Sequence, residues 1–189
     1  GFRRSGSHVY RPHCAACQAC TPVRIPVERF RPSRSQRRCL ERNADLRVLA
    51  RPASRNEECF ALYKRYVGMR HAGGGMDDPS HADFDGFLSC AWSPTIFLEF
   101  FEGERLVGVA VTDMLPDALS AVYTFFEPEA ASRSLGTFAI LTQIEHARTL
   151  GLPHVYLGFW LDGHPKMDYK KNFRPLERLE GREWIDVES

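Results

Sequence analysis

The sequence predicts a mixed α/β (α+β) fold, and three observations predict it. From residue 95, three apolar segments follow one another across tight turns: TIFLEFF, RLVGVAVTDML and ALSAVYTFFE. A longer segment, Ser134 to about Leu150, repeats Leu135, Phe138, Leu141, Ile144 and Ala147 at helical spacing. Then HVYLGFWL is almost continuously apolar, as a strand covered on both faces should be. The chain of 189 residues, 43% hydrophobic and 26% charged, has ordinary globular composition, which excludes disorder, collagen and a coiled coil as whole-chain descriptions. No apolar run approaches the ~20 residues of a membrane helix, so no membrane partner is expected. The first residues, GFRRSGSHVYRP, lack the apolar core of a signal peptide, and a cytoplasmic location is expected. The chain starts at Gly1 rather than Met and is read as a piece of something longer.

The elements follow in order. Residues 1–33 read as short strands and turns around SHVYRP, a cysteine knuckle and the alternating VRIPV. Ser33 or Ser35 can cap a basic helix ending near Asn43. LRVLA (46–50) reads as a strand. Ser54 with Glu57 forms a capping box opening a helix to about Arg70, which puts Phe60, Tyr63, Val67 and Arg70 on one side. HAGGGMDDPSH is a loop, and ADFDGFLSC a short helix. The strand hairpin turns at EGE, the third strand starts after Pro116 and Asp117, and the long helix stops at Gly151 before Pro153. GHPKMDYKKNF reads as a turn and short helix, and RPLERLE as a last strand.

Three antiparallel strands, a long helix and a buried strand pairing in parallel form the layout of an N-acyltransferase (GNAT-like) sheet. In that layout the acyl donor lies where the two central strands splay apart, beside the helix start. Here that start reads Arg133, Ser134, Leu135, Gly136, Thr137, and free N–H groups there can hold an anion. The Gly-rich loop that binds coenzyme A is absent, so either the donor is not coenzyme A or the sheet is not of this kind.

Charge divides the chain in two. Residues 1–42 hold ten Arg and only Glu28 and Glu41 as acids, a net +8; the rest holds fifteen bases and twenty-two acids, a net −7. A basic arm on an acidic body predicts a polyanionic partner, nucleic acid first, and Arg31, Arg34, Arg37 and Arg38 are its candidate contacts. The simpler reading is a solvated basic face. The predicted parts are a Cys- and Arg-rich N-terminal part (1–50, incomplete upstream) and a GNAT-like domain (51–189).

Local motifs carry the chemistry. Cys14, Cys17 and Cys20 stand as CAACQAC, a spacing that lets thiolates converge on zinc or an iron–sulfur cluster, with His8 and His13 nearby; free thiols are the alternative. Cys39, Cys59 and Cys90 stand in apolar contexts and read as small buried hydrophobes. In GHPKMDYKKNFRP, Lys166, Tyr169 and Lys170 are spaced to share a helix face and bind a phosphate or carboxylate, although a solvated amphipathic turn has the same spacing. Arg70 and His71 end a helix before a Gly loop, where a guanidinium can grip a carboxylate, or where cations simply suit the helix dipole.

Four stretches together resemble one family: GFRRSGSHVYRPHCAACQACTPVRIPVERFRPSRSQRR, ALYKRYVGMRH, VAVTDMLPDALSAVYTFFEPEAASRSLGTFAILTQIEHARTLGLPHVYLGFW and GHPKMDYKKNFRPLE. The family is the bacterial aminoacyl-tRNA–protein transferases, the aspartate/glutamate leucyltransferases related to eukaryotic arginyltransferase. The resemblance covers most of the chain in one order. It implies transfer of leucine from Leu-tRNA, with Arg-tRNA as second donor, to proteins beginning with Asp or Glu, marking them for degradation. It also implies an upstream segment bearing a further cysteine. The transfer itself needs no cofactor. Within this reading Tyr123 and Tyr169 are candidate oxyanion donors, Asp113 and Glu145 candidate bases that serve equally well as structural partners, and Arg70, His71, Lys166 and Lys170 candidate readers of the acidic acceptor. The rival readings are a small-molecule N-acetyltransferase and a non-catalytic tRNA-binding module.

Overall fold

A computed structural model describes residues 1–70 and 78–187. Its centre is an eight-stranded sheet. The strands are β3 (Thr21–Pro26), β4 (Arg47–Pro52), β5 (Thr95–Glu102), β6 (Arg105–Leu115), β7 (Ala118–Phe126), β8 (His154–Trp160), β9 (Glu177–Glu180) and β10 (Glu183–Asp186). Their order is β10-β9-β3-β8-β7-β6-β5-β4. All neighbours run antiparallel except β7 and β8, which pair in parallel as expected. A separate hairpin, β1 (Arg3–Ser5) with β2 (His8–Tyr10), precedes the sheet.

Among the described residues four helices cover it: α1 (Arg34–Arg42), α2 (Glu57–Arg70), α3 (His81–Leu88) and α4 (Leu135–Thr149). Period-two alternation in the strands sends side chains to two cores. Leu98, Phe100 and Ala110 join Leu135, Leu141 and Ile144 of α4 on one face. Phe97, Val109 and Phe125 join Leu62, Tyr63 and Val67 of α2 and Phe84 of α3 on the other. Each such fully buried side chain contributes about 1.5–3 kcal/mol.

Ser33 caps α1 with a capping box to Gln36, as its sequence predicts. The start of α2 differs from expectation. The Asn56 carboxamide accepts from the Cys59 amide at 2.7 Å, so Asn56 caps the helix and Ser54 does not. A short carboxamide adjoining the first turn reaches the free N–H groups, which Ser54 stands too early to do. The single last strand becomes a hairpin, β9–β10, turning at Gly181 with φ of 60°. The N-terminal segment is also placed differently. β3 lies inside the main sheet between β8 and β9, and β4 runs across residues 50 and 51, so the two expected parts share one sheet.

Candidate active site

The parallel pairing of β7 and β8 lasts three residues, Ala118–Ser120 against His154–Tyr156. Then both strands change register with their other neighbours. β7 carries an extra residue opposite β6, between the pairs Thr112–Ala121 and Val111–Tyr123. β8 carries one opposite β3, between the pairs Arg24–Tyr156 and Val23–Gly158. A bulge bends its strand and raises the local twist, so two facing bulges drive the strands apart.

A cavity of about 350 Å³ occupies the opening. Val122, Tyr123 and Leu157 form its strand walls, Tyr66 and Arg70 come from the end of α2, and Gly136 and Thr137 from the start of α4. Lys166 and Tyr169 close the rim from the segment after β8, and Arg3 enters from β1. Three cations, Arg3, Arg70 and Lys166, therefore line one cavity, and none of the described residues lining it is Asp or Glu. The N-terminal end of α4 adds positive potential on one wall.

Tyr123 is the chemically distinctive wall residue. Its hydroxyl is buried without a hydrogen-bond partner, while its ring packs edge-on against Phe87, with centroids 5.2 Å apart. Burial, reinforced by Tyr66 and Tyr63, pushes its pKa above the ordinary phenol range, so at neutral pH it is a hydrogen-bond donor. The Arg70 guanidinium lies 5.8 Å from the centre of the Tyr66 ring, which orients it at the cavity mouth. Tyr169 is half exposed on the rim.

Other expected residues lie elsewhere. Lys170 is buried and its ammonium donates to the Phe159 carbonyl; burial drops its pKa to about 8. Lys166, Tyr169 and Lys170 share no helix face, because the segment forms a short 3-10 turn, Asp168–Asn172, that excludes Lys166. Asp113 is buried on β6 in a forked pair with Arg4, at 2.6 and 2.7 Å, and accepts from Thr95 at 2.7 Å. It is a structural partner with its oxygens already engaged. Glu145 is exposed and pairs with Arg148 one turn on. His71 lies outside the described residues, as does most of the loop expected after it.

The four candidate tRNA contacts, Arg31, Arg34, Arg37 and Arg38, are all exposed on or just before α1. That helix is anchored at both ends to the cavity's surroundings. Gln36 donates to the Asn172 carbonyl at 3.0 Å, and Asn43 donates to the Arg133 carbonyl, just ahead of α4, at 2.8 Å.

Cys14, Cys17 and Cys20 are free thiols, the first two exposed, and they line a separate cavity of about 540 Å³ with His13. Among the described residues no group of three or more His, Cys, Asp or Glu is arranged to hold a metal ion. Cys39 and Cys59 are buried as expected, and Cys90 is partly so.

Sequence reasoning missed Arg3 and Arg4, which it counted only as charge. Nη1 of Arg3 donates to the Leu157 carbonyl at 3.2 Å, and Nη2 to the carbonyls of Ala121 and Val122 at 3.2 and 2.8 Å. One signal was available: adjacent residues of a strand point to opposite faces, so an Arg-Arg pair in a strand cannot present both side chains the same way.

The sheet is an acyltransferase-like one. The structure is similar to the C-terminal domain of a lysylphosphatidylglycerol synthetase from Agrobacterium fabrum, with a TM-score of 0.57 and 13% identity over 76% of this chain and 47% of that one. It is similar to FemX with a TM-score of 0.51 and 9% identity, over 78% and 55% of the two chains. Sequence comparison narrows this. Residues 1–38 match the family model of the arginine-tRNA-protein transferase N terminus, and residues 58–180 that of its C terminus. The aspartate/glutamate leucyltransferase of Stenotrophomonas maltophilia (strain K279a) is 59% identical over all of this chain and 78% of its own length. That of Halorhodospira halophila is 53% identical over 97% of this chain and 79% of its own. The chain belongs to the arginine-tRNA-protein transferase family and is an aminoacyltransferase.

Proposed function

We propose that the protein transfers leucine, with arginine as second donor, from aminoacyl-tRNA to the N-terminal α-amine of proteins beginning with Asp or Glu, marking them for degradation in the cytoplasm. The observation that carries the acceptor reading is the cavity between β7 and β8, with its three cations and no carboxylate among the described residues lining it. The names of its relatives support leucine as the donor.

The chemistry is aminolysis of an ester. The acceptor amine, with a pKa near ~8, is already partly neutral and needs little base assistance. That fits a cavity with no carboxylate among the described residues lining it. The amine attacks the aminoacyl carbonyl, the C–N bond forms, and the C–O bond to the ribose breaks as the ribose oxygen takes the proton that the amine gives up. Negative charge collects on the carbonyl oxygen between these events. The Tyr123 hydroxyl, buried and unpartnered in advance, donates to that oxygen, and Tyr169 serves from the rim. Arg70, fixed over Tyr66, and Lys166 grip the acidic side chain of the acceptor. The exposed arginines of α1 hold the tRNA backbone beside the cavity.

Incubation with radiolabelled Leu-tRNA or Arg-tRNA, and a protein starting with Asp or with Asn, tests the reading. Label should pass to the Asp protein, more from Leu-tRNA. Label on neither protein, or on both equally, would refute it. Acetyl-coenzyme A in place of the tRNA should yield no acylated acceptor.

A further inference from the structure

We propose that Arg3 is a positioning residue: it braces β7 and β8 at a fixed separation and walls the candidate site off from a second cavity, so that the acceptor amine rather than water reaches the aminoacyl ester. This rests on the aminoacyl-transfer reading of the site. Where parallel strands part, their carbonyls lose their ladder partners and need others. Arg3 supplies those partners on both sides of the gap, Ala121 and Val122 on β7 and Leu157 on β8. A guanidinium can do this because its donors diverge in one plane, whereas an ammonium is a point charge.

The backbone makes room for that one group. Gly158 has φ of +78°, and a Cβ there would stand 1.9 Å from Nη1 of Arg3. Glycine is thus required twice, by its conformation and by the guanidinium it touches.

Beyond Arg3 lies a cavity of about 420 Å³, bounded by Phe2, Ser120, Tyr156, Gly158 and Trp184. Tyr156 lines this cavity whereas its neighbour Leu157 lines the candidate site, so consecutive residues of β8 face the two cavities. Arg3 lines both cavities.

The consequence is chemical. An aminoacyl ester activated enough for an amine is also open to water. In the wasteful reaction the water oxygen bonds to the carbonyl carbon, the ribose C–O bond breaks, and the ribose oxygen takes a proton. Free amino acid and uncharged tRNA result. With Arg3 removed, the two cavities join behind the acyl group and water gains a second approach.

The test measures how leucine partitions between acceptor and water. Arg3→Met and Arg3→Lys are compared with wild type at equal Leu-tRNA and Asp-starting acceptor, counting leucine transferred and leucine released. Arg3→Met should raise the released-to-transferred ratio about tenfold and Arg3→Lys at least about threefold, with Leu-tRNA binding kept within about twofold. A role confined to stability would lower both products together and leave the ratio alone. A ratio within about twofold of wild type in either folded variant overturns the proposal. Should neither variant fold, wild-type protein decides: without acceptor it should leave the lifetime of the Leu-tRNA ester unshortened, and faster deacylation overturns the proposal. Failure of wild type to transfer leucine at all would count against the reading of the site, whereas normal transfer with an unchanged ratio counts against Arg3 alone.

Discussion

The arginines of the first hairpin and those of α1 look alike in the sequence and are opposites in the structure. Arg3 and Arg4 are drawn into the sheet, where Arg4 meets Asp113 with side chains only 3% and 4% exposed. Arg31, Arg34, Arg37 and Arg38 stand in solvent. One charge cluster therefore divides into a set that shapes the protein and a set that can meet a polyanion. Net charge describes the second set and says nothing about the first.

The largest effect separating them is on stability. Arg4→Met leaves Asp113 buried and unpaired and should cost about 3–5 kcal/mol in denaturant unfolding. Adding Asp113→Leu should recover most of that loss. A single substitution costing less than 1 kcal/mol would mean water reaches Asp113. Arg38→Gln should leave the unfolding midpoint unchanged.

Lys170 extends the comparison to the second basic segment, where it is the buried cation and Lys166 the exposed one. Its pKa is lowered from 10.5 to about 8 in the folded state. Below pH 8 both states hold the proton, and the folded state bears the full cost of the buried charge. Between pH 8 and 10.5 the unfolded chain holds a proton that the folded one has released, so stability rises with pH by about 3 kcal/mol across the window. Above it the cost is gone. Measured against Lys170→Met, wild-type stability should show that rise; parallel curves would place the ammonium in water.

Acceptor choice comes next. Arg70→Gln should reduce the preference for Asp over Asn acceptors roughly ten- to a hundredfold, the worth of one charge-assisted contact of about 1.5–3 kcal/mol, while Leu-tRNA binding persists. An unchanged preference would make Arg70 a helix-terminal cation and pass the role to Lys166 or Arg3.

The smallest effect is at the exposed face. Replacing Arg34 and Arg38 with Gln should weaken tRNA binding several-fold and flatten its salt dependence by roughly one unit of slope per lost phosphate contact. An unaltered slope would remove α1 from the tRNA interface.

What the sequence disclosed follows the same division. The meander β5–β7, α4 and β8 were readable because each is long, periodic and bounded by turn residues, and burial acts on runs rather than on single positions. The walls of the site followed from that layout, which put Tyr123 on a central strand and Gly136 and Thr137 at the helix start. Arg3 and Lys170 were misread, and Asp113 was left between two roles, for a common reason. Each is ruled by a partner distant in sequence, Arg3 by carbonyls 118 to 154 residues away, Asp113 by Arg4 across 109 residues, and no local pattern encodes such a pairing. For Lys170 the shorter reach to Phe159, 11 residues back, depends on the 3-10 turn that replaced the expected helix.

Strand β3 sets a timetable for synthesis. Its neighbours β8 and β9 are made long after it, and Arg24 waits for Tyr156 until 132 further residues have been added. At 5–20 residues per second that is roughly 7 to 26 seconds on the ribosome. Meanwhile β5, β6 and β7 close hairpin by hairpin as they emerge, because their partners are near in sequence. The nascent chain thus carries a finished half-sheet and an apolar N-terminal strand with nothing beside it. The gap at the candidate site does not exist until β8 docks between β7 and that waiting strand, so strands translated after β5–β7 complete it.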